Sequence, residues 1–587
     1  MMLSAARSDS HFAVKKEWFF RRLLSADPRQ RASTMEQLGE EAMAMEPSVL
    51  EAHLPTMWRL AREAPLADIR TGCRALLADI AAKRGLAFTP KCVPPNGAEP
   101  TDQDSDVSSF FQKSEVIGIV KNEDEDLQAI FTRCFLQGGR VSHLTRMLAW
   151  HKPYLQLFRS SITSIMLNDG PLPLEWRNYI ALMAAAEYRC HYVSMIHQHN
   201  FLVNGGDPSW LDGLDFVPAK LARLHSLNAL LAHQPWLITS DDIADLLASD
   251  SDGSSWSISE LVHAIIVMCM YHSMCSITLG LGVVDEEDLA ILSSTSNPDT
   301  YIGAINRRSS IGKMSECGSE LGASPGYDVA RMELEEELLR QRLAKDAEFT
   351  QSDDEDAPEG DATSSTEKDD DEDNDDEDDE EVPFECAALP PSGRLRGLSS
   401  TAHLKGELWR YCSETFVEYV DFDVRSREYN VLHTEDFSWD EHCFSLVSRY
   451  FPGQGGHILE DLFKLTLKMT YHSYGAHAEA KHRSNQDEES LDTTPFRHAI
   501  WYYVHRIYGI CHDDYDYKNV NIFLNRPTKQ FVKKVACTPW RVTAKDIEHF
   551  NHTLTASEKC HVTLLTAEAR KQAGLMYGLR AVMQHFL

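Results

Sequence analysis

The sequence lacks closely spaced cysteines. It contains 13 of them, but none forms a Cys-x-x-Cys pair, and the two that lie nearest each other in the chain are Cys269 and Cys275. This scatter argues against a structural zinc site, a disulfide framework and a dithiol redox motif, and it favours a reducing compartment. We therefore expect no metal site and no cofactor.

A targeting segment and a membrane segment are also missing. The N-terminal residues, MMLSAARSDSHF, have no apolar core of the kind that a signal peptide needs. The longest apolar stretch, residues 264–284, is interrupted by His272 and two serines, whereas a spanning helix needs about 20 largely apolar residues. We expect no membrane span and a cytoplasmic location.

Concentrated basic stretches do not occur either. The net charge of the 587 residues is −33, but residues 353–381 hold 19 carboxylates and one lysine and so carry −18 of it. The rest of the chain is only mildly acidic. A nucleic-acid binder needs a basic face to neutralise phosphates, so we expect no nucleic-acid partner.

What the sequence does contain is helical periodicity. Apolar residues recur at three- and four-residue spacing through most of the chain, Ser257 and Glu260 match a capping box before an apolar run, and strand alternation is not evident. We predict an all-α protein. Two segments share an Arg-x-x-Ile pattern with a later tyrosine, which hints at a duplicated unit: Arg177, Ile180 and Tyr188, and Arg497, Ile500 and Tyr508.

Composition divides the chain into four regions. They are a helical N-terminal extension with a polar loop (1–110), a first helical domain (111–285), a largely disordered linker (286–402) and a second helical domain (403–587). The acidic tract 353–381 inside the linker cannot bury enough apolar surface to fold. A flexible linker of roughly 110 residues spans on the order of 60 Å. It cannot hold the halves in register, so any docking must come from their own surfaces.

A lone cysteine, Cys190, is the first candidate site. If Cys190 and His197 share one helix, they lie on one face but about 10 Å apart along the axis, so a proton relay would need a group such as Ser194 between them. Two interpretations stay open: a buried thiol beside a core histidine, and a reactive thiol. The histidines of this segment lack the single-face spacing that a metal site would need.

Arg497 is the second candidate. Thr494 and Pro495 predict an N-cap followed by a proline in the first turn, which places Arg497 near the positive end of the helix dipole. A cation there is unfavourable unless an anion lies nearby. That anion is either the carboxylate of a ligand or a carboxylate of the protein, and the residues alone leave both open.

Several long segments resemble the sestrin family. Four segments of this chain resemble the N-terminal domain of that family: PLEWRNYIALMAAAEYRCHYV, FLVNGGDPSWLDGL, LAHQPWLIT and SWSISELVHA. Three others resemble its C-terminal domain: DDYDYKNVN, SEKCHV and LLTAEAR. The similarity covers most of residues 130–285 and 430–587. It implies two helical domains like that of alkylhydroperoxidase D, packed together and joined by the acidic linker.

The resemblance implies a reductase centre made of Cys190, Tyr192 and His197. The bacterial peroxidase uses Cys-x-x-Cys, whereas Val193 stands at the second position here. With no resolving thiol nearby, a sulfenic acid at Cys190 would need an external thiol to reduce it. This activity, a thiol peroxidase, is the alternative function.

The resemblance also implies an amino-acid site, with leucine as the ligand. An arginine holds the ligand carboxylate, a glutamate holds its amine and threonines close the pocket. The matching positions are Thr470, Tyr471, Ser473, Thr493, Phe496, Arg497, Glu558 and His561. Asn551 and Leu554 replace a tryptophan and a phenylalanine of the leucine-binding members, and losing an aromatic wall removes about 1–3 kcal/mol of apolar contact.

A third site is implied at Asp513 and Asp514. They match the acidic pair through which sestrins bind the GATOR complex, upstream of the TOR kinase, although HDDYDY by itself also fits a solvated loop. Arg526, Lys529 and Lys533 match a basic cluster of the family. The leading hypothesis is an intracellular stress and amino-acid sensor that restrains TOR signalling by binding GATOR subunits.

Overall fold

The computed structural model describes most of the chain. The described residues are 20–87, 106–120, 122–248, 255–286, 288–289, 408–412, 419–422, 429–469, 492–550 and 554–587. Apart from its first few residues, the predicted linker (286–402), with its acidic tract, lies outside them. Its disorder therefore stays a prediction, as do the boundaries of the four regions.

The first half is built of helices. Its α-helices are α1 (Pro28–Ala44), α2 (Pro47–Glu63), α3 (Ala67–Arg84), α4 (Glu125–Gly138), α5 (His143–Leu148), α6 (Lys152–Ile162), α7 (Leu174–Glu187), α8 (His191–Val203), α9 (Ala219–Ala222), α10 (Leu224–His233), α11 (Ser240–Leu247) and α12 (Ile258–Gly280). A π-helical turn (Thr163–Leu167) continues α6, and 3-10 turns lie at Pro208–Asp212, Leu214–Phe216 and Pro235–Leu237.

The second half is also helical. It contains α13 (Phe444–Tyr450), α14 (Gly455–Lys468), α15 (Thr494–Ile507), α16 (Lys518–Phe523), α17 (Arg526–Cys537), α18 (Ala544–His549) and α19 (Ala556–His585), with 3-10 turns at Trp409–Tyr411 and Pro539–Arg541 and a π-helical turn at Trp439–Cys443. Two short strands, β1 (Leu432–His433) and β2 (Ile510–Cys511), pair in parallel. They make the only β-sheet in the described part of the chain, and the all-α prediction is confirmed.

Capping boxes start the two longest described helices. In α12 the Glu260 carboxylate accepts from the Ser257 amide at 2.8 Å, and the Ser257 hydroxyl accepts from the Glu260 amide at 3.3 Å, which confirms the predicted box. In α19, Thr555 and Glu558 make the same pair of bonds at 2.7 and 3.4 Å. Each box satisfies two amides that a helix start leaves unpaired, and it fixes a glutamate in the first turn.

The helices α12 and α19 lie antiparallel at the centre of the molecule. A Cβ on Gly578 would stand 2.9 Å from Ile265 Cγ2, and a Cβ on Gly280 would stand 2.9 Å from Thr563 Cγ2, so the helices approach closely at both ends. Buried side chains from both halves form one continuous apolar cluster. By length and hydropathy α12 could span a membrane, but its most apolar window is completely buried here, as in a core helix.

Matching tyrosines end α7 and α15. Tyr188 and Tyr508 follow the last helical residues, and their hydroxyls donate to the carbonyls of Ala232 (3.1 Å) and Ala536 (2.9 Å). The guanidinium of Arg570, on α19, lies 5.2 and 5.8 Å from the two ring centres. One buried arginine therefore joins equivalent points of the two units, which supports the duplication inferred from sequence.

Candidate functional site

A small cavity lies between the starts of α15 and α19. It is lined by Thr493, Phe496 and Arg497 on one side and by Leu554, Glu558, His561, Val562 and Leu565 on the other. Five of the residues expected at an amino-acid site therefore share one cavity. Thr470, Tyr471, Ser473 and Asn551 lie outside the described residues, and their roles stay predictions.

The helix start that positions Arg497 differs by one residue from the prediction. The N-cap is Thr493 rather than Thr494, and α15 begins at Thr494. The reason is that the Asp492 carboxylate accepts from the Thr494 amide at 2.8 Å. Pro495 occupies the first turn as expected, and Arg497 follows in the same turn with only 4% of its surface exposed.

The buried guanidinium of Arg497 is held by oxygen atoms. Its Nε donates to the carbonyl of Leu467 at 2.6 Å, and its terminal nitrogens donate to the hydroxyls of Thr493 and Thr494. The positive charge of Arg497 also affects the pKa of a neighbouring carboxyl, that of Asp492. Burial acts to raise the pKa of Asp492, but hydrogen bonds from Thr494 and the charge of Arg497 give that carboxyl a lowered pKa. Asp492 thus supplies part of the negative charge that this cation requires.

The opposite wall carries a buried acid and a neutral imidazole. Glu558 is 3% exposed, and its carboxylate accepts from the Thr555 amide at 2.7 Å and from the Thr555 hydroxyl at 3.0 Å. The Nε2 of His561 lies 2.8 Å from the Thr466 carbonyl. Burial, with smaller contributions from His151 and Arg497, lowers the pKa of His561 to about 3. At neutral pH this ring can donate a hydrogen bond but adds no charge.

The cavity is nearly closed. Its free space is about 10 Å³, which is about the room that one water requires. Leu554 is buried and lines it. An amino acid can enter only if the side chains that fill the site, above all Arg497, exchange their present contacts.

The first half contains an arginine that matches Arg497. Arg177, on α7, donates through Nε to the Leu172 carbonyl at 2.8 Å, as Arg497 does to Leu467. A terminal nitrogen of Arg177 donates to the Asn168 carbonyl at 2.6 Å. Both arginines are therefore buried in the first turn of equivalent helices, and Arg177 is a natural control for Arg497.

The acid and the histidine have counterparts in the first half as well. His263 Nε2 lies 2.9 Å from the Ile165 carbonyl, and burial lowers its pKa to about 4. Glu260 forms an ion pair with Lys220 at 2.8 Å. The protein thus neutralises Glu260 with a lysine of its own.

Asp513 and Asp514 lie exposed in the turn after β2. The Asp513 carboxylate lies 2.6 Å from Nδ1 of His433. Behind the acids, Tyr515 packs on Tyr502 with ring centres 4.3 Å apart. The acids therefore project from a turn that is held by packed aromatic rings, a geometry suited to a docking surface.

The basic residues of the predicted cluster lie on α17. Lys533 forms an ion pair with Asp421 at 2.7 Å, and Lys529 donates to the Asn521 side chain at 2.9 Å. Arg526 begins the helix. These contacts belong to a surface helix, and their family role stays a prediction.

Cys190 lies immediately before the first residue of the helix that carries His197, so the single-helix arrangement considered from the sequence is not the one that forms. Arg189 has a positive φ of 53°, which ends α7, and Cys190 becomes the N-cap of α8. Its carbonyl accepts from the Ser194 amide (3.1 Å) and hydroxyl (2.9 Å). The cysteine is fully buried.

Tyr192 and His197 have partners of their own. The Tyr192 hydroxyl donates to the Glu286 carboxylate at 2.9 Å, and His197 Nδ1 lies 2.9 Å from the Asn178 side-chain oxygen. Burial lowers the pKa of His197 to about 3. These bonds hold both rings in place, and the role of the three residues as a reductase centre stays a prediction.

Sequence reasoning missed a second thiol at this site. Cys275, on α12, lies close enough to Cys190 for the two thiols to interact electrostatically, so a second thiol does lie near Cys190, contrary to the expectation from sequence. Burial, followed by the contact with Cys190, raises the pKa of Cys275 well above its usual value. No local pattern could have revealed this pair, because its members come from different helices.

The fold and these sites define a class: all-α proteins whose two related helical units share one core. The family model described as PA26 p53-induced protein (sestrin) matches residues 106–586. The chain is 34% identical to a sestrin homolog of Dictyostelium discoideum, over 92% of this chain and 83% of that protein. It is 33% identical to Sestrin-1 of Macaca fascicularis (81% and 90%) and 31% identical to Sestrin-2 of Homo sapiens (87% and 98%). The chain belongs to the sestrin family.

Proposed function

We propose that this chain is a cytoplasmic stress and amino-acid sensor, which restrains TOR signalling by binding subunits of the GATOR complex until a leucine-type amino acid releases it. The observation that carries the proposal is that Arg497 and Glu558, from the starts of two helices, line one cavity. A guanidinium and a carboxylate in one cavity suit the two charges of a free amino acid.

The lining of the cavity supports an apolar ligand side chain. Phe496 and Leu554 are buried there, and apolar contact with them favours leucine over a polar amino acid. The hydroxyls of Thr493 and Thr494, which now accept from Arg497, are the contacts that a ligand carboxylate would replace. Such an exchange gives the bound and free proteins different structures, as a sensor requires.

The test is a thermal-shift panel of the common amino acids on the full chain. Leucine or a close analogue should raise the melting temperature of the wild type, because a ligand that binds only the folded state stabilises it. Arg497→Ala should lose that shift. The matched control Arg177→Ala should lower the starting melting temperature yet keep the shift.

Two results would reject the sensor. One is that no amino acid stabilises the wild type. The other is an equal ligand-induced shift in the wild type and in Arg497→Ala.

A second candidate function, thiol peroxidase, is favoured by the proximity of Cys275 to Cys190, two buried thiols from different helices. A hydroperoxide would oxidise the Cys190 thiol to a sulfenic acid and leave as an alcohol. Cys275 would then condense with it, releasing water and forming a disulfide that an external dithiol reduces. Because both thiols are buried, the peroxide must wait for local opening, and turnover should be slow.

The test is to measure peroxide turnover in the wild type, in Cys190→Ser and Cys275→Ser, and in the buried-thiol control Cys134→Ser. Cys190→Ser and Cys275→Ser should lose turnover, whereas the control should keep it. Mass spectrometry of the oxidised wild type should find the Cys190–Cys275 disulfide. Equal rates of peroxide turnover in the wild type and in Cys190→Ser would rule out a peroxidase that acts through Cys190.

A further inference from the structure

Three metal-binding side chains meet beside the β1–β2 pair. They are His433, Cys511 and Asp513, and one ligand atom from each lies within 4.8 Å of the others. The closest two, His433 Nδ1 and a carboxylate oxygen of Asp513, are 2.6 Å apart. His433 and Cys511 take no part in the proposed amino-acid site or in the thiol pair.

The backbone explains why these side chains converge. His433 and Cys511 are directly opposite each other in the parallel ladder, so their side chains point to the same side. Asp513 lies two residues beyond Cys511, in the turn after β2, and that turn brings its carboxylate to His433. Backbone bonds from Leu432 to Gly509 (2.8 Å) and from Thr434 to Cys511 (3.0 Å) hold the ladder.

We propose that this cluster is a zinc site. An imidazole nitrogen, a thiolate and a carboxylate oxygen form a donor set typical of Zn²⁺. Zinc–ligand bonds of about 2.0–2.3 Å in a tetrahedron separate these ligand atoms by about 3.3–3.5 Å. The imidazole and carboxylate, now 2.6 Å apart, would move apart by about 0.7 Å, and each pair that includes the thiolate would close by about 1.3 Å at most.

The setting makes these movements easy. His433 and Asp513 are exposed, and Cys511 is half-buried, so their side chains can rotate without disturbing the core. The open side of the cluster leaves the fourth position to a water molecule. Zinc binding would replace the contact between His433 and Asp513.

The cluster was invisible in the sequence because its members are far apart in the chain. The expectation of no metal site rested on the spacing between cysteines, whereas Cys511 contributes a single thiol. The ladder brings it to His433, and only tertiary structure forms that ladder.

The competing explanation is an ordinary His–Asp ion pair with a thiol beside it. The two explanations differ in the role of Cys511, since an ion pair does not need a thiolate. The test is therefore to titrate the reduced full chain with Zn²⁺ against a chromophoric chelator, and with Co²⁺ as a spectroscopic probe. A thiolate ligand to Co²⁺ produces a near-ultraviolet charge-transfer band.

The zinc proposal predicts that Cys511→Ser and His433→Ala weaken zinc binding at this site by at least tenfold, and that Cys511→Ser removes the charge-transfer band that it contributes. Matched controls are Cys412→Ser, another half-buried thiol, and Asp514→Asn, which neighbours the ligand Asp513. Both should bind zinc like the wild type. Equal zinc affinity and an equal cobalt spectrum in the wild type and in Cys511→Ser would overturn the proposal.

A measurement on the wild type covers the case in which a variant fails to fold. Zinc should slow alkylation of Cys511 by iodoacetamide at least tenfold, as read by peptide mass spectrometry, while Cys412 in the same sample reacts at an unchanged rate. If zinc protects neither thiol, or both equally, the site is rejected.

Discussion

Gly578 and Ile265 touch across the two central helices. A Cβ on Gly578 would stand 2.9 Å from Ile265 Cγ2, and Ile265 is fully buried. Since Ile265 belongs to the first half and Gly578 to the second, this contact is part of a core that both halves share. The halves should therefore unfold together rather than as separate domains.

This contact predicts the effect of Gly578→Ala. In an ordinary helix position, alanine stabilises relative to glycine by about 0.5–1 kcal/mol. Here the added methyl meets a stiff, buried, β-branched side chain, and overpacking costs about 1–3 kcal/mol. We expect the free energy of unfolding, measured with denaturant, to fall by about 1–2 kcal/mol.

The control for this prediction is Gly138→Ala, at the end of α4. A Cβ there meets no atom within 4 Å, so stability should stay the same or rise slightly. If the two substitutions had the same effect, close packing of the central helices would not be the reason for Gly578.

Leu554 should set selectivity at the proposed amino-acid site without holding the charged groups of the ligand. Leu554→Ala removes apolar contact worth about 1–2 kcal/mol, which corresponds to roughly a five- to thirtyfold loss of affinity. Isothermal titration should find this loss for leucine and a much smaller one for alanine, whose side chain reaches less far. Equal losses for both ligands would mean that Leu554 does not face the ligand side chain.

Asp513 and Asp514, in the turn after β2, should provide the proposed partner surface. Asp513→Asn with Asp514→Asn should abolish co-purification of GATOR subunits, because two exposed charges in an aromatic setting are lost. The matched control is Glu435→Gln with Asp436→Asn, an exposed acidic pair in the loop after β1. If the control lost as much binding, general charge rather than this turn would be responsible.

The buried histidines should make the protein sensitive to acid. Burial lowers the pKa of His197 from 6.5 to about 3 in the folded state. A lowered pKa means that the folded state resists protonation, so the contribution of this residue to stability is present above pH 6.5 and is lost as the pH falls towards 3. Between pH 6.5 and 4.5 that loss is about 2–3 kcal/mol.

The measurement is denaturant unfolding from pH 7.5 to 4.5 of the wild type and of His197→Gln, whose amide cannot ionise. The variant should lose stability less steeply with acid, whatever its stability at neutral pH. His549→Gln, at an exposed position, should follow the wild type. If the stability of the wild type and of His197→Gln fell equally steeply with pH, His197 would not be the source of the acid sensitivity.

The sequence by itself determined the helical class and the ends of individual helices. The box of Ser257 and Glu260 and the turn that carries Arg497 depend on residues within a few positions of one another, so local patterns predict them well. Long motifs also identified the family. The error of one residue at the N-cap of α15 arose because the Asp492 side chain competes locally for the Thr494 amide.

Only the tertiary structure decided which residues meet. The pairing of Cys190 with Cys275 and that of His433 with Cys511 each join elements that are distant in the chain. Packing of α12 on α7 and α8 determines the first, and the parallel strand pair determines the second. Periodicity records which face of an element is buried, but not which other element covers it. For that reason the class could be predicted from the sequence, whereas the thiol pair and the proposed zinc site could not.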